Sequence, residues 1–160
     1  MKTPITILYT GSDGASAEPA RNLATRLATE GHEVVGIDLA RYVASDILGE
    51  DVVLFCIGNP AEDEADALRE FLDFLDSLEP GELCRLRYSV LCLPSNDAVL
   101  GPPWGRRVDQ VLEELGAARI VSRVQCDFLA GTEYFSWARS VSKALVFFRR
   151  TASVRVPVEI

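Results

Sequence analysis

Six residues near the amino end, Gly11, Ser12, Asp13, Gly14, Ala15 and Ser16, combine what a bound anion asks of a protein. They join an apolar run, residues 4–9, to a segment with helical spacing, and so form a strand-to-helix corner. The first-turn N–H groups of such a helix have no intrahelical acceptor, small residues let an anion reach the backbone, and the hydroxyls of Ser12 and Ser16 can donate. Asp13 would repel an anion if it turned inward, but its backbone N–H still donates when the carboxylate faces solvent. The spacing is neither G-x-x-x-x-G-K-[ST] nor G-x-G-x-x-G, so the corner does not read as a Walker loop or a dinucleotide fingerprint. An ordinary N-cap turn, with Ser16 closing the helix, is the competing reading.

Other chemistry-bearing residues are sparse. The single histidine, His32, follows a helix stop at Gly31 and is expected at the surface, which leaves no candidates for Ser/His/Asp catalysis. Four cysteines, Cys56, Cys84, Cys92 and Cys126, form no C-x-x-C pair and are expected to be reduced, buried thiols. Cys56, Cys92 and Cys126 each fall near the carboxyl end of an expected strand. Three thiolates there are the start of a metal site, but the chain offers no obvious fourth ligand, and pleating can turn them to different faces.

The elements that position these residues alternate along 160 residues, 48% of them apolar and 25% charged, a length suited to one core. Strands are expected at 4–9, 33–39, 51–57, 87–93 and 119–124. Helices are expected from Ala20 to the Gly31 stop, weakly at 41–48, at 64–78, around Val108, Val111, Leu112 and Leu115, and along Tyr134, Trp137, Val141, Ala144, Leu145 and Phe148. Residues 151–160 carry no helical periodicity and are expected to be a tail or linker after a domain spanning 1–150. Such alternation is the pattern of a parallel sheet covered on both faces, in which ligands bind beyond the strand carboxyl ends. The loops that matter are then 10–18, 58–66, 94–105 and 125–132.

Sixteen basic and twenty-four acidic residues give a net charge of −8. Nine acids against Arg69 between Glu62 and Glu82 account for all of it, so the rest of the chain is neutral. A basic stripe able to neutralise a nucleic-acid backbone is missing. The acidic run serves either as a solvated helix face or as a docking face that steers a basic partner. No apolar run approaches the ~20 residues of a membrane span, and the N-terminus does not read as a secretory signal, so no membrane association and a cytoplasmic location are expected.

The corner TGSDGASAE resembles the phosphate loop of the flavodoxin family, near G-S-x-T-G-T-A-E in the flavodoxin-like domains of diflavin reductases. Gly11, Ser12, Ala17 and Glu18 match directly, and Ser16 replaces a threonine. EGHEVVGIDLARY, FLDFL at 71–75, LRYSVLCL at 86–93 and WGRRVDQVLEELGA at 104–117 are similar to further family segments, so the resemblance covers nearly the whole chain. It implies a flavodoxin-like three-layer sandwich: a five-stranded parallel sheet of order 2-1-3-4-5 with helices on both faces. It also implies FMN, with phosphate against Ser12, Asp13, Gly14, Ala15 and Ser16, and the ring between the loops that carry Asn59 and Asn96.

Those two ring loops depart from the family. Asn59 stands where the family has a ring-contacting tyrosine, Ala98 where it has a stacking tyrosine, and Pro94 where it has a tight glycine. One aromatic partner contributes on the order of 1 kcal/mol beyond its buried area, and Pro94 removes a backbone donor. Trp104, Phe128 or an aromatic from a partner domain are the candidates to compensate, although the family counterpart of Trp104 is a core phenylalanine. The resemblance therefore implies an FMN-binding electron-transfer domain without catalytic machinery of its own, docking a redox partner or an adjoining reductase domain near Glu62–Glu82. The alternatives are a scaffold or interaction domain that has lost FMN, and a quinone- or nucleotide-binding relative.

Overall fold

In the computed structural model, which describes residues 4–10, 17–58, 62–93, 104–126 and 132–154, every position of strand β3 (Val52–Ile57) is buried. Its side chains alternate between two cores. Val53, Phe55 and Ile57 enter one, while Val52, Leu54 and Cys56 enter the other. A strand apolar at every position needs cover on both faces, and the neighbouring strands supply the same alternation. In β4 (Arg87–Cys92), Tyr88, Val90 and Cys92 face the first core and Leu91 the second. In β1 (Pro4–Tyr9), Ile5 and Ile7 face the second and Leu8 the first.

With β2 (Glu33–Asp38) at one edge and β5 (Ala118–Arg119) at the other, the sheet order is β2-β1-β3-β4-β5, all parallel. Ile7 stands opposite Gly36 on one side and Leu54 on the other. Helices α1 (Ala17–Thr29) and α4 (Thr132–Val154) cover the second core through Leu23, Leu27, Trp137, Val141 and Leu145. Helices α2 (Glu62–Asp76) and α3 (Trp104–Glu114) cover the first through Leu68, Phe71, Leu75, Val108 and Leu112. This is the three-layer sandwich and strand order that the flavodoxin resemblance implies.

Two helices stop as their glycines require. Gly31 and Gly116 both take φ of 94°, the left-handed region that a side chain rarely adopts. After α1, Gly31 N–H donates to the Ala28 carbonyl and His32 N–H to Leu27. After α3, Gly116 donates to Glu113 and Ala117 to Leu112. Each pair satisfies carbonyls that the helix end leaves open.

Three elements differ from the sequence expectation. The weak helix at 41–48 is instead two short 3₁₀ turns, Leu39–Arg41 and Ala44–Gly49, separated by extended backbone at Tyr42 and Val43. The Asp38 carboxylate accepts from Ala40 N–H at 3.0 Å and caps the first turn, while Tyr42 and Thr6 hydroxyls both donate to Glu50 and tie the segment to the sheet. The fifth strand, expected as one run at 119–124, is broken into β5 and a further two-residue strand, β6 (Val124–Gln125), each paired with β4. Between them the Ser89 hydroxyl donates to the Val121 carbonyl, and Arg119 and Arg123 both turn to Asp109, drawing the connection out of line. Helix α4 continues to Val154, past the point where apolar periodicity ends.

Candidate functional site

Because every strand is parallel, the strand carboxyl ends and helix amino ends share one edge of the sheet. Thr10, Gly58, Leu93 and Cys126 follow β1, β3, β4 and β6 there, and Ala17, Glu62, Trp104 and Thr132 open the four helices. Neighbouring strand ends stay paired one residue into the loops. Thr10 N–H donates to the Cys56 carbonyl at 3.3 Å, Leu93 N–H to Ile57 at 2.9 Å, and Cys126 N–H to Cys92 at 2.8 Å. The Thr10 hydroxyl also accepts from Gly58 N–H at 2.9 Å, a buried bond that clasps the stem of the first loop to that of the third. The loop stems are thus held at sheet spacing whatever the loops themselves carry.

The start of α1 is equally constrained. Ala17, Pro19 and Ala20 are buried, and Glu18 projects outward. Proline is tolerated in this first turn because the N–H it lacks would have no intrahelical acceptor. Its carbonyl accepts from the Tyr134 hydroxyl at 3.3 Å, which joins the openings of α1 and α4. Burial pushes the Tyr134 phenol up to about 12, so it stays a donor at physiological pH. The first-turn backbone donors of α1 are the amides of Ala17 and Glu18, since Pro19 has none.

At the opposite side of the same edge, α3 lies hard against the end of β4. A Cβ added at Gly105 would collide with Cys92 Sγ, so any side chain there requires the thiol to move. Trp104 is half-buried against the α2/α3 core, with the Arg69 guanidinium 5.6 Å from its ring centroid. It therefore packs on that core, the role the resemblance implies for this position. The residues expected to touch FMN, Ser12, Asp13, Gly14, Ala15, Ser16, Asn59 and Asn96, lie outside the described residues, as do Pro94, Ala98 and Phe128.

The three strand-end thiols are not gathered into one site. Cys56 and Cys126 face the α1/α4 core and Cys92 the α2/α3 core, as pleating of the strands dictates. Burial, then the neighbouring Cys126, raises Cys56 above the ordinary thiol range, and burial pushes Cys92 up to about 11. Cys84 is exposed. Among the described residues no group of three His, Cys, Asp or Glu side chains is placed to hold a metal ion.

Charge is organised along the α2/α3 layer. Asp66, Glu70, Asp73 and Asp76 of α2 are exposed, so the acidic run is a solvated face over its second half. The charged residue that sequence reasoning missed is Asp109 of α3, whose side chain is 4% exposed. Arg119 grips it with two hydrogen bonds, 2.8 and 3.0 Å, and Arg123 adds a third at 2.7 Å. Its one sequence signal is position: Asp109 adjoins the inward stripe of Val108 and Leu112 and is followed by an arginine-bearing strand.

A parallel α/β sandwich of this order, with its loops gathered at the strand carboxyl ends, is a fold built to hold a ligand at that edge. A family model described as Flavodoxin matches residues 7–137, and the chain belongs to the flavodoxin family. Among curated proteins it is 29% identical over 142 residues to the sulfite reductase [NADPH] flavoprotein alpha-component of Bacillus subtilis (strain 168), covering 88% of this chain and 24% of that protein. It is 30% identical over 124 residues to the protein of the same name from Shewanella sp. (strain MR-7), covering 77% and 20%. The chain thus spans about a quarter or less of the length of these relatives. Among solved structures, a Streptococcus pneumoniae TIGR4 flavodoxin superposes with a TM-score of 0.73 at 20% identity, over 90% of this chain and 98% of that one.

Proposed function

We propose that this chain is an FMN-binding, flavodoxin-type electron-transfer domain. The observation that supports it best is the strand-to-helix corner: a loop of glycine and serine in a chain of this family, leading into an α1 opening whose first turn is held in place by Tyr134. Bound FMN supplies one- or two-electron chemistry, and the protein's contribution is to hold and shield it. Backbone amides of Asp13, Gly14 and Ala15 and the hydroxyls of Ser12 and Ser16 hold the phosphate. Asn59 and Asn96 stand in the two loops that flank the ring.

Electrons pass between this domain and a separate reductase or an adjoining reductase domain, and the exposed acids of α2 steer that partner to the loop edge. Relatives several times longer than this chain are named as flavoprotein components of a reductase, which favours that division of labour. The protein works in the cytoplasm on this reading. A second reading, a flavodoxin-fold scaffold without FMN, is favoured by Asn59 and Ala98 at the two positions where the family carries tyrosines.

Titration with FMN separates the two. Micromolar affinity with quenched flavin fluorescence is expected; absence of binding at ~100 μM, worth only about 5–6 kcal/mol, overturns the FMN reading and favours the scaffold. Ser16→Asp places a like charge at the phosphate and is expected to abolish binding with an unchanged circular-dichroism spectrum. Unaltered affinity in that variant would place the ligand elsewhere.

A further inference from the structure

The break in the fifth strand opens a cleft of about 450 Å³ between α3 and the β5–β6 connection. The helix contributes Arg106, Asp109, Gln110 and Glu113, spaced three and four apart on one face. The connection contributes Arg119, Ser122 and Arg123. In a chain with eight more acids than bases, three arginines against two acids leave this lining positive. The two acids are not equivalent. Asp109 is buried and holds both Arg119 and Arg123, so it belongs to the frame that fixes those guanidiniums. Glu113, 62% exposed, reaches in from the rim to the Arg119 Nη2. Arg106 is exposed and makes no ion pair among the described residues.

We infer that this cleft is a second anion site, separate from the loop edge, that takes a small ligand bearing two or more phosphoryl or carboxyl charges. Guanidinium forks match either group in bidentate geometry. Asp109 pre-sets two of the forks, so ordering them costs the ligand little. Glu113 holds the place of one ligand oxyanion on Arg119 and swings back to solvent when the ligand arrives. Arg106 supplies the third charge, and Gln110 and Ser122 are neutral donors at the wall. The site is visible only in three dimensions, because its two halves are joined by the strand break.

The test is an amide chemical-shift titration of the full chain with inorganic pyrophosphate and, separately, with citrate, which distinguishes the phosphoryl from the carboxyl source. Saturable shifts are expected at Gln110, Glu113, Ser122 and Arg123. Arg106→Gln should weaken the apparent affinity about tenfold, the loss of one charge-assisted contact, and Glu113→Gln should tighten it about threefold by removing the competing carboxylate. Both substitutions are at exposed positions and leave the core untouched. Shifts confined to residues 11–16, no saturation with either anion, or affinities that neither variant moves would each overturn the proposal. The FMN reading stands or falls on other residues.

Discussion

The α2 face and the α3 edge carry the same kinds of side chain and use them in opposite ways. On α2, Asp66, Glu70, Asp73 and Asp76 lie in water, and the ion pair of Asp66 with Arg69 spans one helical turn at 2.7 Å with both side chains more than half exposed. On α3, Asp109 is almost wholly enclosed and its oxygens accept three hydrogen bonds from two arginines. The first arrangement sets the long-range field and contributes little to stability. The second is a local frame: it fixes the chain between β5 and β6, and removing a member strands the others. A count of charges along the chain registers α2 and is blind to α3.

The sharpest way to break that contrast is Asp109→Ala. It removes three charge-assisted hydrogen bonds, leaving Arg119 with Glu113 alone and Arg123 without its carboxylate, and is expected to lower unfolding free energy by about 3 kcal/mol, read as a drop in the urea midpoint. A loss below half of that would mean the cluster is solvated like α2. Ser89→Ala probes the other tether of the same connection. The Ser89 hydroxyl accepts from Trp137 Nε1 at 2.8 Å and donates to the Val121 carbonyl at 2.9 Å, so its removal orphans a buried indole N–H and should cost about 1–3 kcal/mol. Faster amide exchange at residues 120–123 should accompany it; a midpoint equal to the parent would remove Ser89 from the frame.

The thiols give the same buried-against-exposed contrast in a titration. In the fold Cys92 keeps its proton up to about 11, whereas an unfolded thiol releases it near ~8.5. The folded state therefore binds the extra proton between those values, and stability should be constant below the window and fall as pH rises through it. In native protein an aromatic disulfide reagent should label Cys84 quickly and the three buried thiols only on unfolding; fast labelling of two or more would contradict the burial described. Smallest of all, Asp66→Ala should move stability by under ~0.5 kcal/mol. A larger loss would erase the distinction between the two regions.

How much of this was legible beforehand follows the same division. Strands β1, β3 and β4 and the inner stripes of α1 to α4 are visible in the sequence, because each must bury apolar residues and nothing distant overrides it; edge strand β2 shows through its valines and isoleucine although none of them is fully buried. The 3₁₀ turns at 39–49 were not, since polar side chains set them: Asp38 caps the first turn, Tyr42 bonds Glu50 within the segment, and Thr6 of β1 ties Glu50 to the sheet, none of which apolar periodicity registers. Nor was the broken fifth strand. Residues 119–124 have strand-like composition, and it takes Asp109 of the preceding helix to draw Arg119 and Arg123 aside and Ser89 of β4 to hold Val121. The proposed phosphate corner rests on its own small and hydroxyl residues, which lie outside the described residues. The Asp109 cleft was not, because a buried carboxylate on a helix looks like a surface one until its partners arrive.

The two tryptophans are divided between the layers. Trp137 is sealed in the α1/α4 core with its N–H bonded to Ser89, while Trp104 rests half-open at the mouth of α3 beneath Arg69. The molecule is thus labelled by nature with two distinguishable fluorophores. Phenylalanine at either position leaves the other as a private optical channel, one reporting the rear layer and one the mouth, so that partial melting or cargo arrival can be followed layer by layer without an attached dye.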